Sequence, residues 1–350
     1  MMKREKILVT GGAGYIGAHT VVELDLAGFE VVIVDNFSNS TPDVLDGLEG
    51  ITGKRHHFME LDCSDREDMK MLFAKHPDIS AAIHFAAYKA VGESVEKPLD
   101  YYRNNLDSLL CLLYEMTKEG RSGGLVFSSS CTVYGQPASE NLPVSEMAPL
   151  QPATSPYGRT KQICEDILTD VAKASGDKLR AIALRYFNPI GAHPSALIGE
   201  LPRGVPQNLL PFVTQTAIGL RKELSVFGND YNTPDGSCIR DYIYVCDLAK
   251  AHVRAVERLL EKRTGKGGEV EYFNLGTGVG LSVLEVVNKF MDATGVDVPY
   301  KIVGRRAGDV EKVWADPSKA NEVLGWKADT PLEDVFKSAW LWEKRVRQKL

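Results

Sequence analysis

No stretch of this 350-residue chain is long and apolar enough to span a bilayer. Nor does basic charge prevail: 41 Lys and Arg stand against 47 Asp and Glu, a net charge of −6. That balance argues against a broad nucleic-acid or anionic-membrane surface, so no nucleic-acid or membrane partner is expected. An anionic small molecule has to be held by a few placed cations and backbone N–H groups. Paired cysteines are missing too. Cys63, Cys111, Cys131, Cys164, Cys238 and Cys246 are scattered without a CxxC spacing, which favours free thiols in a reducing compartment. The first apolar run, Ile7 to Val9, stops at Thr10-Gly11-Gly12 and is too short for a signal-peptide core. A cytoplasmic location is the expectation. His56-His57 lacks a matching ligand cluster, so no metal is expected.

What is present is a regular alternation of elements. Ile7–Thr10, Val31–Asp35, Ala81–Phe85, Leu125–Ser129 and Ala181–Tyr186 are β-rich runs with little polar alternation, the pattern of strands buried on both faces. Helical stripes lie between them: Leu106, Leu109, Leu110 and Leu113 in one, Ile163, Cys164, Ile167, Leu168 and Val171 in another. Repeated β-then-α units predict an α/β fold, a Rossmann-type doubly wound parallel sheet. After residue 187 the texture changes, with Pro189, Pro194, Pro202, Pro206 and Pro211 punctuating irregular chain. The length also exceeds what one core usually fills. The expected division is a dinucleotide-binding domain over residues 1–187, with a returning segment near 240–275, and a smaller mixed α/β domain over 188–350.

Thr10-Gly11-Gly12-Ala13-Gly14-Tyr15-Ile16-Gly17 follows the first strand and opens a helix. Glycines at such a turn let the backbone approach a pyrophosphate, and the helix N-terminus offers free N–H groups to it. The GxxGxxG spacing is looser than GxGxxG, and a ligand-free glycine turn has the same look. Context decides. Asp35 ends the second strand, where a carboxylate accepts hydrogen bonds from the adenosine ribose and repels a 2′-phosphate, favouring NAD over NADP. Asp62 ends the third unit in the same way.

Ser128-Ser129-Ser130 closes a predicted strand, at the sheet end where open α/β folds bind ligands. Tyr157 and Lys161 follow at the start of a helix signalled by Ser155-Pro156. Their i, i+4 spacing puts both on one face. A nearby ammonium is expected to lower the phenol pKa from about 10 toward the working range. The Tyr then removes a hydroxyl proton as hydride leaves the same carbon. Spacing alone carries little, because Tyr114 and Lys118 share it late in another helix. Position after a serine-bearing strand end separates the two pairs.

These features together resemble the extended short-chain dehydrogenase/reductase family, and within it the nucleotide-sugar 4-epimerases. The similar stretches are LVTGGAGYIG, HFAAYKAVGESVEKP, FSSSCTVYG, SPYGRTK, LRYFNPIGAHPS, VFGNDYNTPDG, RDYIYVCDLA, GTGVG, RRAGD and WADPSKA, running through nearly the whole chain. The resemblance implies Tyr157 as base and Lys161 as its electrostatic partner, with Ser130 and Thr132 on the reacting sugar hydroxyl. It implies NAD contacts at Gly11, Gly14, Tyr15, Ile16, Gly17, Asp35, Asn36, Ser40, Asp62, Cys63, Phe85, Ala86, Lys89, Asn104 and Phe187, besides Ser130, Tyr157 and Lys161. On the substrate side it points to Ser130, Tyr157, Asn188, Asn208, Leu209, Arg240, Arg306, Asp309 and Val313. Two arginines suit a diphosphate, since their donor forks match phosphate oxygens.

The implied activity interconverts UDP-glucose and UDP-galactose through a 4-keto sugar with NAD regenerated each turnover. It belongs to galactose metabolism, and a homodimer paired through the helices near 100–118 and 157–174 is implied with it. Val313 stands where some relatives carry a tyrosine, which predicts a pocket roomy enough for UDP-GlcNAc and UDP-GalNAc. Nucleotide-sugar 4,6-dehydratases are the nearest rival, but they place an Asp-Glu pair where this chain has Cys131-Thr132. A non-catalytic NAD-binding scaffold is the rival of another class, and it would not be expected to keep Ser130, Tyr157 and Lys161 together.

Overall fold

The computed structural model describes residues 4–121, 123–261, 267–306 and 309–348. Ala307 and Gly308 of the RRAGD stretch lie outside the described residues. The amino-terminal half alternates β1 (Lys6–Thr10), α1 (Tyr15–Leu26), β2 (Glu30–Asp35), α2 (Asp43–Thr52), β3 (His57–Glu60), α3 (Arg66–Lys75) and β4 (Ile79–His84). It continues with α4 (Val91–Glu96), α5 (Pro98–Met116), β5 (Gly123–Ser130), α6 (Pro156–Ser175) and β6 (Leu179–Tyr186). Next come β7 (Asn188–Ile190), α7 (Leu209–Ala217), β8 (Leu224–Phe227), β9 (Ile239–Tyr244), α8 (Val245–Glu261) and β10 (Val270–Leu275). The chain closes with β11 (Gly280–Ser282), α9 (Val283–Thr294), β12 (Tyr300–Val303), β13 (Lys312–Val313), α10 (Ser318–Val323) and α11 (Leu332–Gln348).

Seven strands form one sheet in the order β10-β6-β5-β4-β1-β2-β3, and every neighbouring pair is parallel. The unbroken apolar runs are explained by what covers each face. Ile7, Val9, Val31, Ile33, Ala81 and Ile83 pack on one side with residues of α1, α2 and α8. Leu8, Val32, Val34, Ala82, Leu125 and Phe127 face the other side, against α3, α5 and α6. Alternate residues therefore enter alternate cores, and neither set can be polar. The edge strand β3 departs from this pattern, with His57 and Glu60 exposed.

Strand order reverses between β1 and β4, which opens a crevice at their carboxyl ends. The remaining strands build a four-stranded sheet, in which β9 pairs with β7, β11 and β13, and a two-stranded β8–β12 ribbon. Strand β9 stays in the small sheet, whereas α8 and β10 return to the large one. Among the described residues no helix is long and apolar enough to cross a membrane. The α5 stripe is rotated from its expected position. Leu109 and Leu113 are buried, Leu106 and Leu110 only partly so, and the buried face runs through Asn105, Ser108, Leu112 and Met116.

Candidate active site

The β1–α1 turn is shaped by close backbone approach. Gly11 has φ +68°, and a Cβ there would stand 2.8 Å from the Ala86 nitrogen at the end of β4. A Cβ on Gly17 would come within 2.2 Å of the Gly11 oxygen. Helix α1 starts at Gly14 with no side-chain cap and no acidic residue in its first turn, which leaves its N–H groups and dipole facing the crevice. These features fit the pyrophosphate of a dinucleotide. Asp35 lies at the neighbouring strand end. Its Oδ2 accepts from the Ala13 N–H at 3.1 Å, and its Oδ1 from Phe37 N–H and Ser40 Oγ at 2.9 Å each. A carboxylate offers about four acceptor positions, so capacity remains for a ribose hydroxyl.

Other residues implied for the cofactor gather on the same strand ends. Asn36 donates to Asp62 Oδ2 at 3.2 Å. Cys63 is buried near both Asp35 and Asp62, and burial pushes its thiol well up, which suits a packing group rather than a nucleophile. Phe85 N–H donates to the Thr10 carbonyl across β4 and β1, and Phe187 is buried just beyond β6. Lys89 is half-exposed and donates to Glu200 at 3.0 Å, while Asn104 donates to its neighbour Asn105.

The catalytic candidates converge for local reasons. Ser155 caps α6 by accepting from Gly158 N–H at 3.1 Å, with Pro156 in the first helical position. That start sets Tyr157 and Lys161 on the turn facing the end of β5. Ser130 lies beside the Tyr157 phenol and is the neighbour that favours its ionised form. Lys161 Nζ donates to the Ser128 carbonyl at 2.7 Å. Thr132 N–H donates to Ser130 Oγ at 3.2 Å, but Thr132 Oγ1 is buried without a partner. Such an atom needs a hydrogen-bonding occupant beside it.

The electrostatics differ from the expectation. Lys161 does not lower the Tyr157 phenol in the protein alone: burial pushes it up to about 12, with only Ser130 pulling the other way. Burial also lowers the Lys161 ammonium to about 8, which leaves it mostly charged at pH 7 and losing its proton only as pH rises past 8. Added positive charge beside the ring is needed to bring the phenol down. Cys131, behind Ser130, has its thiol pushed up to about 11 by burial. It cannot replace the acid pair of a dehydratase. Cys164 is buried in the α6 stripe with its thiol up at about 11, which makes it a packing residue. Tyr114 is exposed and Lys118 pairs with Glu115, so that control pair is surface.

Of the substrate-side candidates, Arg240 and Val313 are register partners of β9 and β13. Val313 is buried with Val133, Tyr134 and Phe187, which brings that wall next to the β5 end. Arg240 donates to the Ile239 carbonyl at 2.8 Å, and its charge acts to lower the Cys131 thiol. Asn188 opens β7. Asn208 and Leu209 start α7, and Asn208 donates to Glu200 at 2.6 Å. Arg306 is engaged by Asp309 at 2.7 Å and lies over the Phe227 ring. Arg305 makes an exposed bridge to Asp230. Among the described residues no cluster of His, Cys, Asp or Glu could hold a metal ion.

Several residues were missed in the sequence. Glu165 and Arg185 form a buried ion pair behind Ser129, His84 hydrogen-bonds Thr10, and Glu200 joins Lys89 to Asn208. Glu165 had a signal, a charged residue one turn after Lys161 on the inward face of a helix. The others had none. A cavity of about 570 Å³ lined by Glu23, His193, Tyr244, Lys250 and Asp334 contains none of the candidate residues.

A glycine turn at the switch point of a parallel sheet, with Ser, Tyr and Lys at the neighbouring strand end, defines an extended short-chain dehydrogenase/reductase. A family model described as GDP-mannose 4,6 dehydratase matches residues 8–339. The UDP-glucose 4-epimerase of Dictyostelium discoideum is 52% identical over 339 residues, 97% of this chain and 96% of the relative. The crystal structure of a UDP-glucose-4-epimerase from Stenotrophomonas maltophila, with bound NAD and formylated UDP-arabinopyranose, is 46% identical with a TM-score of 0.93. It covers 99% of this chain and 100% of its own. That from Bifidobacterium longum, in complex with NAD+ and UDP, is 46% identical with a TM-score of 0.92 and covers the same shares. The chain belongs to the UDP-glucose 4-epimerase family.

Proposed function

We propose that this protein is an NAD-dependent epimerase that interconverts UDP-glucose and UDP-galactose through a transient 4-keto sugar. The observation that carries the reading is the contact of Ser130 with Tyr157 at the β5 end, beside a buried, unpartnered Thr132 hydroxyl. Tyr157 takes the proton from the sugar 4-hydroxyl, and Ser130 and Thr132 hold that oxygen. NAD, when bound, supplies the hydride acceptor and later donor, and its oxidised ring adds the positive charge that favours the Tyr157 phenolate. Gly11, Gly14, Gly17, Asp35 and Lys89 are the residues that would hold it. Arg240 and Arg306 hold the diphosphate, for which Arg306 exchanges Asp309 for phosphate oxygens. Asn188, Asn208 and Leu209 fix the nucleotide, so the freed keto sugar turns while its anchor stays.

The assignment of residues 1–187, with the returning stretch near 240–275, to the dinucleotide and of 188–350 to the nucleotide sugar is part of this proposal. So is a homodimer, supported by the partly exposed Leu106, Leu110, Ile163 and Ile167 on α5 and α6. A cytoplasmic location is supported by six unpaired cysteines. The test is conversion of UDP-galactose to UDP-glucose by purified protein with no added cofactor. Product without accumulating NADH is expected. A protein that holds NAD yet leaves UDP-galactose unchanged overturns the reading.

A further inference from the structure

Glu200 sits where the two halves of the candidate site meet. One of its oxygens, Oε1, accepts from Lys89 Nζ at 3.0 Å and from Asn208 Nδ2 at 2.6 Å. Lys89 belongs to the loop after β4 and lies over the Tyr15 ring at 5.7 Å, on the dinucleotide side. Asn208 occupies the N-cap position of α7 without a side-chain cap bond, on the nucleotide-sugar side. The carboxylate is largely shielded, at 13% side-chain exposure, so its two bonds are little screened by water.

Its backbone is held as firmly as its side chain. Trp342 of α11 donates from Nε1 to the Glu200 carbonyl at 2.9 Å. Its ring packs so close to Gly199 that a Cβ there would meet it at 2.6 Å. Three residues further on, Arg203 donates to the carbonyls of Ser38 (3.1 Å) and Ser40. Ser40 in turn donates to Asp35 at 2.9 Å. The stretch from 200 to 208 therefore grips both the Asp35 loop and the Lys89 loop before it enters α7.

We infer that Glu200 is a positioning residue that couples the two nucleotide sites, fixing Lys89 toward the dinucleotide and Asn208 toward the uridine nucleotide through one shared oxygen. Filling either site orders the carboxylate for the other, and the effect is reciprocal because it is a difference in binding free energy. An epimerase has a use for this, since its cofactor must stay in place while the keto sugar turns. The inference rests on the functional reading above for the sides assigned to Lys89 and Asn208.

The experiment uses the NAD-loaded protein and two readouts: UDP affinity by titration calorimetry, and the rate of NAD release with and without saturating UDP. In the wild type, UDP is expected to slow NAD release on the order of tenfold, within the usual range of site coupling. Glu200→Gln is expected to weaken UDP binding roughly tenfold to hundredfold, the range of a lost charge-assisted hydrogen bond. It is also expected to abolish the effect of UDP on NAD release. Lys89→Met tests the link without touching Glu200. It is expected to weaken UDP binding although Lys89 lies on the dinucleotide side, and to add nothing when combined with Glu200→Gln. A purely structural role would lower the unfolding midpoint and leave the UDP effect on NAD release intact. That outcome, or wild-type UDP affinity in both variants, overturns the coupling alone. A wild-type protein that takes up neither nucleotide overturns the functional reading and the coupling with it.

Discussion

Lys161, one turn into α6, donates from Nζ to the carbonyl oxygen of Ser128 at 2.7 Å, two residues before Ser130 on the end of β5. The bond ties the helix carrying Tyr157 to the strand carrying Ser130. It explains how two segments nearly thirty residues apart hold a fixed geometry.

Removing the phenol hydroxyl tests the base directly. Tyr157→Phe is expected to reduce kcat by about 10²–10⁴, the usual worth of positioned proton transfer, with NAD content unchanged. Steady-state kinetics on UDP-galactose measures it, and near-wild-type turnover would remove Tyr157 from the mechanism.

Thr132 offers a separation of stability from function. Its Oγ1 is buried and unpartnered, so Thr132→Val trades an unsatisfied hydroxyl for a methyl of the same shape. Folding stability should hold or rise. Catalytic efficiency should fall about tenfold if the hydroxyl bonds the reacting sugar oxygen. A loss of stability with full activity would contradict this role.

The ion pair behind the site has its own signature. Arg185 Nη2 and Glu165 Oε2 stand 2.6 Å apart with side chains 5% and 4% exposed. Ser129 Oγ donates to the same carboxylate, and Tyr134 hydrogen-bonds the guanidinium. Arg185→Met strands a buried charge and should cost about 3–5 kcal/mol in denaturant unfolding. Arg185→Met with Glu165→Leu should cost less than that single change, because no lone charge remains. Simple addition of the two single effects would refute the argument.

Acid should weaken the fold before the carboxylates titrate. Burial lowers His19 and His84 to about 3 and His252 to about 4, from 6.5. Unfolded chains protonate these rings below about pH 6.5 while the folded protein does not. The unfolded state therefore binds more protons, and stability is complete above pH 6.5 and falls as pH drops toward 4. The raised carboxyls of Glu23 and Asp241, also displaced by burial, reduce the slope without reversing it. Urea midpoints at pH 7 and pH 5 check the sign, which a higher midpoint at pH 5 would contradict.

Substrate width turns on Val313. It packs with Val133, Tyr134 and Phe187 and faces Arg240 across the β13–β9 pair. The wild type is expected to convert UDP-GalNAc as well as UDP-galactose. Val313→Tyr, overpacking that wall, should lower the UDP-GalNAc rate more than the UDP-galactose rate. Rates on both substrates decide it, and no turnover of UDP-GalNAc by the wild type ends the idea.

Some features were legible from local chemistry alone. The apolar runs at 7–10, 31–35 and 125–129 have the pattern of strands buried on both faces, and the glycine turn follows the first of them. Ser155-Pro156 announced the helix start that places Tyr157 and Lys161. Edge strand β3 was harder to read, because one solvated flank lets His57 and Glu60 break the apolar pattern.

Local sequence thus determined which segments are strands, where the glycine turn and the helix carrying Tyr157 begin, and which residues are candidates for the chemistry. Each of those depends on neighbours within a few positions. Tertiary structure alone decided that Glu165 meets Arg185, that Glu200 joins Lys89 to Asn208, and that Thr132 keeps a hydroxyl without a partner. It also decided the direction of the Tyr157 shift, where burial raises the phenol and Ser130 only partly offsets it. Desolvation and long-range pairing depend on which surfaces come together when the sheet closes, and no window along the chain contains that information.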